Sequence, residues 1–453
     1  MQAKLQSESS ETGTQVDTIA ANGDELKRPL KGPTRRNLLK SMTTTVAAVL
    51  SSSLVRPRGG VGRPFAESQP ASDSWPPAKS PAWYGFNLLE YFTTDPALQG
   101  NRPHSNDGMF KEDDFRWMRD WGFTFVRLPM DYRFWTDPND MMTINDKMVE
   151  PIDRAIRLGE RYGIYINICL HRALGEWIQD GENDQVNGRH LMKEKTSVYD
   201  DPHTLAAFVH QWSYFAQRYR GIPSERLSFN LVNEPLVMLT AAERAELASH
   251  KSADGFIREM NERHERQYVR VARAAINAIR TVDPQRWIIS DGYQIGVVAI
   301  PDLIGTGIMR SCHQYYPVQL THYQAEWAGD MVPKDTPLPT WPLKDRDGHV
   351  FDRAALSARF RPWRDLTERG VRIHFGEMGC YQHTPPEVVL AWFNDSLDAI
   401  AELGSGWALW NLRGPFGILD SGRAWTKYED WYGHQLDRPL LDLLQKKQKE
   451  RKG

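Results

Sequence analysis

Cysteine is scarce in this chain. Cys169, Cys312 and Cys380 are the only three in 453 residues, an odd number that permits at most one intramolecular bridge and excludes a disulfide framework. If any bridge forms, Cys312–Cys380 is the pairing to consider. No two of them make a Cys-x-x-Cys pair, so a structural zinc site is not expected, and neither a metal nor a cofactor is called for. An excess of one charge is missing too. Lys and Arg number 56 against 58 Asp and Glu, a net charge of −2, which argues against a nucleic-acid or membrane-surface partner. Neither a G-x-G-x-x-G nor a P-loop pattern occurs, so nothing supports a nucleotide site. Long apolar runs are also lacking. The run from Ser41 to Val55 is rich in Ala, Thr, Ser and Val and is too short and too weakly apolar to span a bilayer.

What is present starts with an address. Thr34-Arg35-Arg36-Asn37-Leu38-Leu39-Lys40 precedes that mildly apolar stretch, the pattern of a twin-arginine export signal. Residues 1–33 are polar and read as a disordered extension, 34–66 as the signal region with cleavage near Ala66, and 67–80 as a Ser/Pro/Ala-rich linker. Export by this route delivers an already folded protein to a periplasmic or extracellular destination, which suits a chain with unpaired cysteines. Residues 81–450 are left for one catalytic domain, expected to act as a monomer.

That domain alternates short apolar strands with amphipathic helices. The strands are expected at Trp83–Leu88, Phe123–Leu128, Ile164–Leu170, Leu227–Val232, Trp287–Ser290, Ile308–His313, Arg372–Phe375 and Trp407–Trp410. Helices are expected at Phe110–Trp121, Ile152–Tyr162, Pro202–Tyr219, Glu265–Ile279, Ile300–Ile304, Ala354–Arg369, Pro385–Leu403 and Arg438–Lys447. Pro129 is expected to end the second strand. The pattern predicts an α/β fold, a (β/α)₈ TIM barrel with long loops after strands three and six; a doubly wound open sheet is the alternative. Several strands end in polar groups: Arg127, His171, Asn233-Glu234, Asp291, His313, Glu377 and Asn411. In a barrel these converge at the C-terminal face, where chemistry sits.

Two of them are glutamates. Glu234 closes Leu231-Val232-Asn233-Glu234-Pro235, and Glu377 lies between Gly376 and Met378-Gly379. Carboxyls from strands four and seven face each other over the mouth, as glycosidic cleavage requires: one donates a proton to the leaving oxygen, the other attacks or activates water. Sixteen tryptophans supply either sugar-stacking faces or core.

Asn233-Glu234-Pro235 with the later Glu377 resembles glycoside hydrolase family 5, the cellulase-type barrel enzymes. Further motifs agree, namely Gly85-Phe86-Asn87-Leu88, Val126-Arg127-Leu128-Pro129, Leu170-His171, His313-Gln314-Tyr315 and Trp410, and the likeness runs from about Trp83 to Leu444. It implies Glu234 as acid/base and Glu377 as nucleophile of a retaining enzyme. Arg127 would keep Glu377 ionised, Asn233 would bond the sugar 2-OH, and Tyr315 would sit by the nucleophile. His171 and His313 would line the subsite, and Trp410 would form its floor. The substrate implied is a β-1,4-linked polysaccharide, most readily β-glucan, with β-mannan as the competitor. A transglycosylase and an inactive carbohydrate-binding barrel are the other readings. The third-strand motif, Leu170-His171-Arg172-Ala173-Leu174-Gly175-Glu176-Trp177, departs from the family's Pro-Gly form. Glu176 and Trp177 could reach the cleft, as could His322, Trp327 and Trp341 in the loop after strand six. Asp291 has no counterpart in the family pattern and reads as a buried hydrogen-bonding group.

Overall fold

A computed structural model of the protein describes residues 82–92, 110–137, 140–176, 185–186, 189–190, 197–237, 239–249 and 254–450. The export signal, the linker and Trp177 lie outside the described residues. Eight strands form the centre: β1 (Tyr84–Asn87), β2 (Phe125–Asp131), β3 (Tyr165–Arg172), β4 (Leu227–Asn230), β5 (Trp287–Asp291), β6 (Met309–Gln314), β7 (Ile373–Met378) and β8 (Gly406–Leu409). Each pairs in parallel with the next, and β8 closes onto β1. The chain is therefore a closed (β/α)₈ barrel, as the alternation predicts.

Around the barrel run α1 (Glu112–Asp120), α2 (Glu150–Tyr162), α3 (Pro202–Arg218), α4 (Ala241–Ala248), α5 (Asp254–Val282), α6 (Arg353–Arg359), α7 (Arg361–Glu368), α8 (Pro386–Glu402) and α9 (Arg438–Lys449). Local chemistry sets their ends. Asp201 caps α3 by accepting from the His203 and Thr204 N–H groups, satisfying donors that the first turn leaves open. Gly163 stops α2 in the left-handed conformation, φ 66°, where a side chain is disfavoured. On α3, Phe208, Gln211, Trp212 and Phe215 are buried, the 3.6-residue stripe that faces the barrel. The Trp212 indole N–H donates to Leu231 O at 3.1 Å, which ties this helix to the segment leading into the site.

The N-terminal end of the barrel is plugged by aromatics from the strand starts. Trp83 stacks on Tyr165 at 4.1 Å and on Phe125 at 5.4 Å, with Trp287 beside them at 5.7 Å. Packed aromatic pairs contribute about 0.5–1.5 kcal/mol each beyond area burial. With this end closed, the opposite end is left for chemistry.

Several boundaries differ from expectation. Pro129 does not end β2, which runs on to Asp131. Arg127 O accepts from Leu88 N, so Arg127 faces β1, and Pro129, two residues on, faces the same side. There β1 has already stopped at Asn87↔Arg127, and the missing N–H costs no ladder bond. The helix expected at Ile300–Ile304 is one 3₁₀ turn, Pro301–Leu303, bracketed by Pro301 and the left-handed Gly305, φ 81°. Ala354–Arg369 is two helices that meet at Phe360, because Pro362 is tolerated only in a first turn. Glu265–Ile279 belongs to the longer α5. All three cysteines are free and buried, so the Cys312–Cys380 bridge does not form. No helix among the described residues is long and apolar enough to cross a membrane.

Candidate active site

β4 ends at Asn230, but the chain stays in register for three more residues. Leu231 N donates to Ile289 O at 3.0 Å and Asn233 N to Leu170 O at 3.1 Å. Glu234 then turns to φ 47°, a left-handed conformation that costs a non-glycine residue about 1–3 kcal/mol and clusters at functional sites. Its N–H is received by Asp291 Oδ2 at 3.1 Å.

Arg127 is the hub. Its guanidinium is buried and donates to Glu377 Oε1 at 2.6 Å, Asn233 Oδ1 at 2.8 Å, Asn230 Oδ1 at 2.9 Å, Asn87 Oδ1 at 3.1 Å and Asp291 Oδ2 at 3.3 Å, and it meets Cys169 Sγ at 3.1 Å. Six groups from five strands thus converge on one planar cation, which the fixed fork of an arginine allows and a lysine would not. Asn87 also donates to Gly376 O at 3.0 Å and Leu409 O at 2.8 Å, holding β7 and β8 around Glu377. The other Glu377 oxygen accepts from the Tyr315 hydroxyl at 3.1 Å.

His313 stands between the carboxylates. Nδ1 is 2.8 Å from Glu234 Oε1 and 3.6 Å from Glu377 Oε2, and Nε2 is 3.2 Å from Asp291 Oδ2. Burial alone would lower its pKa, but the charges of Glu377 and Asp291 outweigh burial and raise it to about 10. Near neutrality it is an imidazolium that donates from Nδ1. Burial opposes ionisation of Asp291 as well, yet His313 and Arg127 hold it down at about 2. Burial pushes Glu377 above its ordinary value, aided by Glu234 and resisted by His313 and Arg127. Three carboxyl groups, Glu234, Glu377 and Asp291, thus face two cations, Arg127 and His313.

An oxygen of Glu234, an oxygen of Glu377 and a His313 nitrogen all lie within 4.8 Å of one another. Such spacing could suit a metal ion, but Arg127 and the protonated His313 already supply the countercharge. A second such group, the surface residues Asp345, Asp347 and His349, is accounted for by a turn in which Asp347 N and His349 N both donate to Asp345 Oδ1.

The remaining expected residues form an apolar flank. Trp410 and His171 pack side by side at 5.3 Å, each in edge contact with Phe92. Trp410 N donates to Met378 O at 2.8 Å, one residue from Glu377. From Tyr315, ring contacts continue through His322 at 5.0 Å and Phe416 at 6.0 Å, and on to Tyr381 and the 37 %-exposed Trp327. Trp341 instead donates to Asp395 on α8 at 2.9 Å. Glu176 is buried and accepts from the Tyr199 hydroxyl at 2.7 Å and from Leu236 N at 3.0 Å. Asn230 is a part of the site that sequence reasoning did not single out, and Cys169, noted there near a strand end, lies against Arg127. The signal for Asn230 was available: an amide at the end of an otherwise apolar strand needs partners.

Similarity to known proteins agrees with this geometry. The cellulase (glycosyl hydrolase family 5) model matches residues 90–414. Cellodextrinase A of Ruminococcus flavefaciens is 25% identical over 63% of this chain and 74% of its own length. Endoglucanase C of Acetivibrio thermocellus is 20% identical over 68% and 85%. A crystal structure of a glycoside hydrolase superposes with a TM-score of 0.65 at 35% identity, covering 81% of this chain and 99% of the other. With the family's barrel, the family's sequence across most of the domain, and two carboxyls facing each other at its mouth, the chain is a glycoside hydrolase and belongs to glycosyl hydrolase family 5.

Proposed function

We propose that the protein is a retaining endo-β-glycanase acting on β-1,4-linked glucan. The observation that carries this reading is the pairing of Glu234 and Glu377 across His313, whose Nδ1 lies 2.8 Å from Glu234 Oε1 and 3.6 Å from Glu377 Oε2. Carboxyl groups about 5–5.5 Å apart act by double displacement, whereas about 6.5–9.5 Å leaves room for an attacking water; one oxygen of each lies within 4.8 Å of the other, which supports the closer class. Glu377 receives a donor on each oxygen, Arg127 and Tyr315, an arrangement suited to a carboxylate nucleophile. Glu234 is the more accessible of the pair, its side chain 15% exposed against 5%, and takes the acid/base role beside the leaving group. Asn233 keeps a buried amide nitrogen without a protein partner, a donor for the sugar 2-OH. His171 and Trp410 line the subsite, with Trp410 as its floor. The names of the relatives, a cellodextrinase and an endoglucanase, point to glucan as the substrate.

A panel of soluble polysaccharides tests this. Wild type should release reducing ends from β-1,4-glucan in preference to β-mannan, and Glu377→Ala should lower the rate by about 10⁴-fold or more. Activity that survives this substitution removes the nucleophile assignment. Glu234→Ala should hydrolyse only substrates with good leaving groups and should be rescued on them by azide.

The Arg35-Arg36 segment supports export by the twin-arginine route to the periplasm or beyond, with the domain working as a monomer. Arg35→Lys with Arg36→Lys should retain the protein in the cytoplasm, and normal secretion would refute the route. Light scattering at assay concentrations reads the monomer directly.

A further inference from the structure

Asp291 touches more of the catalytic apparatus than its place outside the family motif suggests. It ends β5, it is fully buried, and its two oxygens serve four groups. Oδ1 accepts from Asn230 at 3.0 Å. Oδ2 accepts the Glu234 main-chain N–H at 3.1 Å and an Arg127 N–H at 3.3 Å, and lies 3.2 Å from His313 Nε2. The opposite nitrogen of that imidazole is the one that reaches Glu234 Oε1. Asp291 therefore grips Glu234 twice, once at its backbone and once, through His313, at its carboxyl.

We propose that Asp291 is a positioning residue for the acid/base: it holds the Glu234 main chain in its left-handed turn and, through His313, aims the Glu234 carboxyl at the leaving oxygen. The inference rests on the acid/base reading of Glu234. Both grips have a physical reason. A left-handed glutamate is unfavourable by itself, and a charge-assisted hydrogen bond to its N–H offsets part of that cost. The Asp291 carboxylate, ion-paired to Nε2 at 3.2 Å rather than hydrogen-bonded to it, holds the charged imidazole so that its opposite nitrogen faces Glu234. Glu377 needs no such help, since Arg127 and Tyr315 already hold its two oxygens. Loss of Asp291 should therefore damage proton donation more than nucleophilic attack.

Leaving-group dependence separates the two. In Asp291→Asn, kcat/KM on a β-1,4-gluco-oligosaccharide, which needs a proton on its leaving sugar, should fall by about 10²-fold. On 2,4-dinitrophenyl β-cellobioside, whose phenolate leaves unaided, it should stay within about threefold. The pH profile supplies a second readout. His313 is faced by Glu234, Asp291 and Glu377, with Tyr315 and Arg127 beyond Glu377 and His374 nearby. Removing one negative charge from that group lowers the proton affinity of the rest, so the alkaline limb on the oligosaccharide should move to lower pH. A role in packing alone would not move it. Equal losses on both substrates, or an unchanged limb, overturn the proposal. If Asp291→Asn is too unstable to assay, Asp291→Ser, which keeps a small acceptor for the Glu234 N–H, carries the same comparison. Should Glu234→Ala itself lose both substrates equally, the acid/base assignment is what fails, and the Asp291 link fails with it.

Discussion

Glu176 and Asp291 are both buried carboxyls within reach of Glu234, and their neighbours send them in opposite directions. Asp291 lies against Arg127 and His313 and is held ionised, at about 2. Glu176 has a phenol and a main-chain amide for partners, and burial raises it to about 8. Glu176 therefore stays protonated near neutrality and ties Tyr199 to Leu236, two residues past Glu234. It also sets a pH dependence. Between the unfolded value near 4.5 and the folded value near 8, the folded chain holds a proton that the unfolded chain has lost, so stability declines as pH rises through that window. Glutamine can accept both hydrogen bonds through its Oε1 and does not ionise. Glu176→Gln should match wild type in unfolding free energy at pH 4.5 and exceed it at pH 8 by roughly 2–4 kcal/mol, read by denaturant titration. A constant difference across the range would show that Glu176 is not the titrating group.

At the scale of elements, the site depends on a turn as much as on strands. After β5 the chain reaches Gly296 at φ 74°, where an added Cβ would lie 2.6 Å from His313 Cγ. Gly163, which ends α2 at φ 66°, has nothing within 4 Å of such a Cβ. The two therefore separate backbone strain from collision. Gly163→Ala should cost about 1 kcal/mol of stability and leave kcat unchanged. Gly296→Ala bears a similar strain plus an overpacking cost of about 1–3 kcal/mol, and should reduce kcat as the imidazole shifts. Thermal denaturation and steady-state rates on both variants check this, and equal kcat values would show that the turn does not set the His313 position. The same contrast marks what sequence can tell. The eight strands are legible because each is a short apolar run between polar loops and helices of 3.6-residue period. Glu234, Glu377 and Arg127 are legible because a charge in, or just after, an apolar strand demands a partner. The reach of β2 past Pro129 is not, since it depends on where the neighbouring strand stops. Nor is Asp291, since a buried aspartate at a strand end reads the same whether it steadies a loop or a catalytic group. Which nitrogen of His313 meets which carboxyl is settled only when β4, β5, β6 and β7 are brought together.

The whole molecule fixes what no single element can, the gap between Glu234 and Glu377. These residues are separated by 143 positions in the chain (234 to 377) and lie at the ends of strands three places apart around a ring of eight. Barrel closure holds that chord rigid, because shifting either strand end breaks pairing with neighbours on both sides. His313 on β6 then bridges the gap at 2.8 Å and 3.6 Å, and Arg127 on β2 fixes Glu377 from the other side. With the nearest oxygens of the pair within 4.8 Å, the double displacement through Glu377 proposed above inverts the anomeric configuration twice. Proton NMR of the first products, recorded before mutarotation, should show the β anomer of the new reducing end. An initial α anomer would mean that water attacks directly and that Glu377 is not the nucleophile.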